Sequence, residues 1–406
     1  MTSRHPVWES LIPPSRYGLP DRHAVAAEGT RIRFADGSWA LCATSGLWNC
    51  NLGYGNKNIA EAVAEALTNA SYLTLFRGGH HLAVRAAEAL LDVCGSSFGR
   101  VLYSTSGGAA NDAMMKLVRH FHAVRGDDRR RVVVGLTGSY HGLTYGSFSL
   151  TGENLGQQVY GVDQRAVRHV GFSDEAELTS LLAREGHRVA AVVLEPVLGS
   201  GAHPVPESFI AAVARLREEH GFLLVADEVA TGFGRTGRYF ASSSWPVAPD
   251  VLITSKGLTN GTCAASAVVV SHEICEVFER ADAVLVHGET QAGTPGSCAA
   301  ILATIEQMHE LDAVATAARN SVKLDALLDR VSAHPLVNGH RGSGCFRAIT
   351  LQSGVSAQVT EAARKAGVIV QPGPDCVQLV PALTYGDDEL AELESALLTA
   401  LDEVAR

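Results

Sequence analysis

The sequence predicts an α/β protein: a large domain with a mostly parallel sheet and helices on both faces, followed by a smaller α/β domain. Three observations carry this expectation. Short, continuous apolar runs at 132–136, 189–194, 222–226 and 251–255 have the pattern of strands buried on both faces, the habit of parallel sheets. Helical apolar spacing alternates with those runs between 101 and 256, as crossover connections require. Two neighbouring runs end in a charge, Asp227 and Lys256, and functional groups of open α/β sheets gather at the carboxyl ends of strands.

Taken in order, residues 1 to about 30 are rich in Pro, Arg and His and are expected to form an arm. Segments 31–34 and 39–41 flank Asp36-Gly37 as a hairpin. A loop at 44–49 carries Trp48, either a core anchor or a pocket wall. Helical spacing marks 59–67 and 82–93, with an extended piece or loop at 72–76 between them. A strand at 101–104 runs through Ser106-Gly107-Gly108 into a helix at 109–124. Glycines let backbone N–H groups approach a ligand and the helix dipole favours negative charge, so this turn is a candidate phosphate cup. The strand at 132–136 leads to Ser139-Tyr140-His141-Gly142, where Tyr140 can stack on a planar ligand. Loop is expected from 151 to 170, then a helix at 175–185, a strand at 189–194 ending in Glu195-Pro196, and a helix at 207–220.

Beyond the two charged strand ends come a strand at 264–271, a short helix at 274–280 and a polar loop at 287–296. One long, mostly helical stretch is expected at 297–331. Strands at 346–351, 368–370 and 377–380 and helices at 357–366 and 387–405 complete the chain. The expected division is 1–50 as N-terminal arm and hairpin, 51–297 as the large domain, 298–331 as the connecting stretch and 332–406 as the small domain.

Composition bounds the function. With 406 residues, 46% hydrophobic and 19% charged, the chain can bury a large core and is not a disordered or fibrous protein. A net charge of −10 argues against a nucleic-acid partner, and Arg129-Arg130-Arg131 reads as a solvated loop. The eight cysteines show no CxxC pair or metal-type spacing, so free thiols, no metal and a reducing compartment are expected. The start of the chain has no apolar leader pattern and no stretch is long enough to span a bilayer, which points to a cytoplasmic protein without a membrane partner.

Of the five lysines, only Lys256 follows a buried strand; Lys57, Lys116, Lys323 and Lys365 fall in polar loops or on charged helical patterns. A lysine so placed is costly unless paired or used covalently. Its primary amine can form a Schiff base with the aldehyde of pyridoxal 5′-phosphate (PLP). That cofactor also asks for a carboxylate at its ring nitrogen (Asp227), a phosphate cup (Ser106, Gly107, Gly108) and an aromatic face (Tyr140). Each signal is weak alone. All four at strand ends of one sheet make a PLP site.

The run Asp227-Glu228-Val229-Ala230-Thr231-Gly232-Phe233-Gly234-Arg235-Thr236-Gly237, followed by Ser255-Lys256-Gly257, resembles the signature of class III aminotransferases, PLP enzymes of fold type I. The resemblance extends through Gly46-Leu47-Trp48, Ser106-Gly107-Gly108, Tyr140-His141-Gly142, Glu195-Pro196 and His287-Gly288-Glu289-Thr290, nearly the whole chain, and Trp48 is similar to the omega/amine branch. It implies a small domain formed by the N-terminal segment together with the C-terminus. It also implies that Lys256 carries the cofactor and moves the proton, and that Asp227 pairs with the pyridine nitrogen. Val229 would pack on the ring opposite Tyr140, with His141 and Glu195 around it. Gly107 and Gly108 would bind the phosphate, with Thr290 reaching it from the neighbouring subunit of a homodimer.

Two departures bear on substrate. The family's phosphate loop usually carries a hydroxyl and an acid where this chain has Gly108 and Ala109, so weaker cofactor retention is expected. The arginine that clamps a substrate α-carboxylate is replaced by Gln378, and the mobile arginine of amine:pyruvate-type relatives by Gln371. Either Arg77, Arg235, Arg341 or Arg347 meets the donor carboxylate, or one substrate lacks one. The implied substrate pocket is Trp48, Phe76, Gln371 and Gln378. The expected activity is transfer of an amino group from an amino-acid donor to a ketone or aldehyde. The arm His5-Pro6-Val7-Trp8-Glu9 further resembles aminotransferases of peptide natural-product clusters (daptide type), which act on a peptide-borne ketone. An aminomutase, racemase or decarboxylase on the same scaffold, or a binding protein that has lost catalysis, are the alternatives. A dinucleotide oxidoreductase is excluded, because no GxGxxG opens the first βα unit.

Overall fold

The computed structural model describes residues 5–406; residues 1–4, where the leader pattern was sought and the arm begins, lie outside the described residues. Seven strands make the central sheet: β1 (Phe98–Ser104), β2 (Val132–Leu136), β3 (Val167–Val170), β4 (Val189–Leu194), β5 (Leu223–Asp227), β6 (Val251–Thr254) and β7 (Ser266–Ser271). Their order is β1-β7-β6-β5-β4-β2-β3, and every pairing is parallel except the two that β7 makes.

Alternation along the strands explains the layers. Val193, Val225 and Ile253 point to one face and share a cluster with Met114, Val118 and Phe121 of α1 (Gly107–Val124). Val192 and Leu224 point to the other face, toward Leu181 of the helix Glu175–Glu185 and Phe209 and Val213 of the helix Glu207–His220. Every residue of β4, β5 and β6 is buried, which is why these strands read as continuous apolar runs. Each fully buried Val, Leu or Ile contributes about 1.5–3 kcal/mol, so the sheet centre is the stiffest part of the protein and a suitable mount for a site.

A four-stranded sheet joins both ends of the chain: Ala24–Glu28, Arg31–Phe34, Trp39–Cys42 and the distant Val368–Ile369. A second one holds Val337–Ser343, Phe346–Leu351, Cys376–Leu379 and Gln371–Pro372. Among the described residues no helix is long and apolar enough to cross a membrane.

Four expectations are corrected. The arm contains the strand Ala24–Glu28, whose five residues are all exposed and so carry no apolar alternation to read. The stretch expected to be loop contains β3, which has only two buried residues at its ends. The stretch 297–331 is two helices, Pro295–Glu310 and Ala313–Val331, separated at Asp312, whose φ of +47° is left-handed and ends the first helix. The strand Val337–Ser343 went unread because Asn338, Gly339, His340, Arg341 and Gly342 are poor strand formers; pairing with Phe346–Leu351 holds it.

One close approach sets the entrance to α1. Gly142 has φ +125°, and a Cβ there would lie 2.5 Å from Gly108 Cα. The loop after β2 is thereby pressed against the first turn of α1. Gly142→Ala is expected to lower the thermal midpoint by the equivalent of about 1–3 kcal/mol of backbone strain. An unchanged midpoint in scanning fluorimetry would show that this loop is free to move away.

Candidate active site

Strands β5 and β6 are parallel neighbours, with Asp227 opposite Ile253, so Asp227 and Lys256 leave the sheet at the same edge. The Asp227 carboxylate is only 3% exposed and would be costly without donors. It has three. His141 Nδ1 donates to Oδ2 at 2.7 Å, Asn111 Nδ2 to the same oxygen at 2.9 Å, and Val229 N to Oδ1 at 3.1 Å. Burial resists a charge on the His141 ring, but the hydrogen bond and charge of Asp227, aided by Glu195, outweigh it and raise the imidazole pKa. His141 Nε2 and Asn111 Oδ1 are buried without partners.

Lys256 stands at φ +50°, a left-handed position that non-glycine residues hold under strain. Enclosure by the surrounding protein lowers its pKa, against the opposing charges of Asp227 and Glu195. Its Nζ is 5.1 Å from the centroid of the Trp48 ring. Glu195, at the end of β4, accepts from Tyr140 N and Gly199 N, both at 2.9 Å. Burial pushes its carboxyl up to about 7.

The glycine turn lies against the same centre. A Cβ on Gly107 would meet Val229 Cγ1 at 3.0 Å, and one on Gly108 would meet Ser147 Oγ at 3.3 Å. Ser106 Oγ accepts from Ala109 N at 3.2 Å and caps α1, so its hydroxyl has a structural task. The arrangement fits PLP. It offers a hydrogen-bonded buried carboxylate, a valine face, a glycine-lined helix N-terminus and an enclosed amine.

Trp48 meets both expectations, packing against the buried cluster of Phe346 and Val380 while also lining a cavity. It stacks edge-on against Phe346 (5.9 Å between centroids) and, with Gln371 and Gln378, lines a cavity of about 760 Å³. Gln371 and Gln378 face each other across paired strands. The Gln378 amide, oriented to suit its neighbours, donates to Gly199 O at 3.1 Å and accepts from Gly201 N at 2.8 Å. Both ends of that amide therefore brace the 199–201 loop.

The four arginines divide clearly. Arg235 is fully buried, bonded to Pro381 O, to Asn51 Oδ1 at 2.5 Å and to Ser45 Oγ at 3.4 Å; burial lowers its pKa to about 10. Arg347 is taken by Asp325, Ser321 and two backbone carbonyls. Arg341 pairs with Asp375 and donates to Gly201 O at 2.6 Å. Arg77 is exposed, has no ion pair among the described residues and does not line the cavity.

Phe76 and Thr290 are not brought to this centre within one chain. Phe76 is 53% exposed beside Gly288, and Thr290 O accepts from Tyr72 Oη at 3.0 Å. Glu153 and Asp375 carry no signal in the sequence, and the family resemblance runs through Asn111 without giving it a role. For Asn111 a signal existed: a polar residue inside the apolar helical run Ala109-Ala110-Asn111-Asp112-Ala113-Met114.

The aminotransferase class-III family matches residues 16–401. The acetylornithine aminotransferase of Streptomyces coelicolor is 33% identical over 405 residues, covering 98% of this chain and 95% of that protein. An omega-aminotransferase of Caulobacter vibrioides is 29% identical over 427 residues, covering 98% and 97%. The crystal structure of a PLP-bound amine transaminase from an uncultivated Pseudomonas species superposes with a TM-score of 0.91 at 28% identity, covering 98% of each chain. The chain belongs to the class III aminotransferases, PLP-dependent transferases of fold type I.

Two outcomes follow from the hydrogen bonding. Gln378→Ala removes the partner of Gly199 O and Gly201 N at the cavity wall, and a stability loss of about 0.5–1.5 kcal/mol for each lost hydrogen bond is expected in denaturant titration; no loss would mean water replaces the amide. For Glu195, the native pKa of about 7 lies above its ordinary value of 4.5, so the native state holds the proton more tightly. Its favourable contribution is complete below about 4.5 and is lost as pH rises to about 7. The wild-type melting temperature should therefore fall more steeply between those pH values than that of Glu195→Gln, and parallel curves would refute the assignment.

Proposed function

We propose that this aminotransferase moves an amino group from an amino-acid donor to a ketone or aldehyde acceptor that lacks an α-carboxylate, a peptide-borne ketone being one such acceptor. One observation carries the reading: among the described residues no unpaired guanidinium lines the cavity beside Trp48, because positions 371 and 378 hold amides and Arg341 is engaged by Asp375. A carboxylate entering there would find no bidentate partner.

PLP, when bound, supplies an aldehyde that links amines covalently and a protonated ring that withdraws electrons from them. Asp227, anchored by His141 and Asn111, would hold the proton at the ring nitrogen. Val229 and Tyr140 would bound the ring faces, and the N–H groups of Gly107 and Gly108 with the α1 N-terminus would receive the phosphate. Burial of Lys256 Nζ favours its neutral amine, which would hold the cofactor's aldehyde covalently and take the proton from the amine-bearing carbon of the donor. Trp48 walls the acceptor side.

A homodimer completes the site in this reading. Leu47, Tyr72, Phe76 and Val286 are exposed apolar side chains, and Phe76 and Thr290 would serve the neighbouring subunit's cavity. A cytoplasmic location fits the eight cysteines, all of them free.

In a half-reaction on purified holoenzyme, alanine or glutamate should bleach the aldehyde-form absorbance, and a carbonyl acceptor should restore it. Simple ketones, aldehydes or peptide methyl ketones should restore it faster than α-keto acids; the reverse order would overturn the acceptor class. Lys256→Ala should remove turnover by at least about 10²–10⁴-fold. Light scattering should give twice the chain mass of 42.8 kDa.

A further inference from the structure

The cavity beside Trp48 carries a charge pattern that amino transfer itself does not use. Its wall has three ionisable side chains, Glu153, His203 and Asp375. Asp375 is matched by Arg341, whose two terminal nitrogens donate at 2.9 and 3.3 Å. His203 is biased to its neutral form, by burial first and then by the charge of Arg341. Glu153 differs: among the described residues its carboxylate has neither an ion pair nor a hydrogen-bond donor.

Its position is nonetheless well fixed. Glu153 N donates to Ser139 O at 3.1 Å, and Gln157 Nε2 donates to Glu153 O at 2.6 Å. The preceding Gly152 sits so close to the end of β2 that a Cβ there would fall 2.0 Å from Leu136 O. The segment is thus locked beside the Tyr140 turn, and half-buried Glu153 lines both this cavity and a second one of about 400 Å³. Burial raises its pKa, as expected for a carboxylate with no counter-charge.

Building on the amino-transfer reading above, we propose that Glu153 binds a cationic group at the far end of the substrate, so that preferred amines and carbonyl acceptors carry a second, protonated amine. The same wall that denies a carboxylate a partner offers an ammonium one. Specificity would come from both effects, attraction at Glu153 and the absence of arginine at 371 and 378.

The test compares n-alkylamines with α,ω-diamines of equal length, from about four to eight carbons, on the holoenzyme with one fixed acceptor. Binding of hexyltrimethylammonium, which cannot be transaminated, is measured by calorimetry against hexanol. At the best length the diamine should exceed the monoamine in kcat/KM about tenfold, the order of one partly desolvated charge pair. Glu153→Gln should collapse that ratio toward one and weaken hexyltrimethylammonium relative to hexanol by a similar factor. Glu153→Asp, which keeps the charge but shortens its reach, should retain the preference and shift its optimum to a longer diamine. A wild-type ratio near one, or a ratio unchanged in Glu153→Gln, overturns the cation site. If neither these amines nor alanine or glutamate bleach the cofactor, the amino-transfer reading fails instead, and the calorimetric comparison still decides the role of Glu153.

Discussion

A carboxylate buried at the end of the central strand of a sheet is unstable by itself, and much of this protein can be read as the answer to that problem. Asp227 sits on β5, in the middle of the sheet order, where water is excluded. To be kept there it needs donors from elements far apart in sequence: Asn111 from α1, His141 from the loop after β2, and the backbone of Val229. Drawing Asn111 in places the first turn of α1, and with it Gly107, against Val229. Drawing His141 in places Tyr140 over the same edge, where Glu195 secures its backbone. The electrostatic demand of one side chain thus assembles the phosphate turn, the aromatic and the acid around a single point.

Cations are distributed with equal economy. Arg235, the largest fully buried side chain, spends its donors on Pro381, Asn51 and Ser45, fastening the Trp48 turn to the segment that follows Gln378. Arg341 and Arg347 are held by acids and carbonyls. That leaves Lys256 as the enclosed amine beside Trp48 and leaves the cavity wall with an unmatched carboxylate. In the proposed reading the reaction type depends on the sheet edge, whereas selectivity depends on a cavity wall drawn from segments spread between Trp48 and Gln378.

Most of the sheet was legible because its strands are apolar throughout, and the two charges that interrupt this pattern stand at strand ends. The missed elements were those whose stability is non-local. Ala24–Glu28 has no buried residue, and Val337–Ser343 is made of turn formers; each exists because a neighbouring strand pairs with it. The site was legible where a residue's type and its place in a strand or turn coincide, as for Lys256, Asp227 and the glycine pair. It was only partly legible for Asn111, which stands out as a polar residue in an apolar helical run but whose partner is 116 positions away.

Chemistry in this chain was determined by residue type and local order: an amine and a carboxylate at adjacent strand ends, a glycine turn before a helix, and amides where relatives carry arginine. Those features persist in any correct fold of these strands, because the covalent sequence itself carries them. Only the tertiary structure decided how the amides and arginines are used. Gln378 braces a loop, Arg341 is neutralised and Glu153 is left without a partner. Such outcomes depend on which distant groups come within hydrogen-bonding distance, and that distance is set by packing rather than by spacing along the chain.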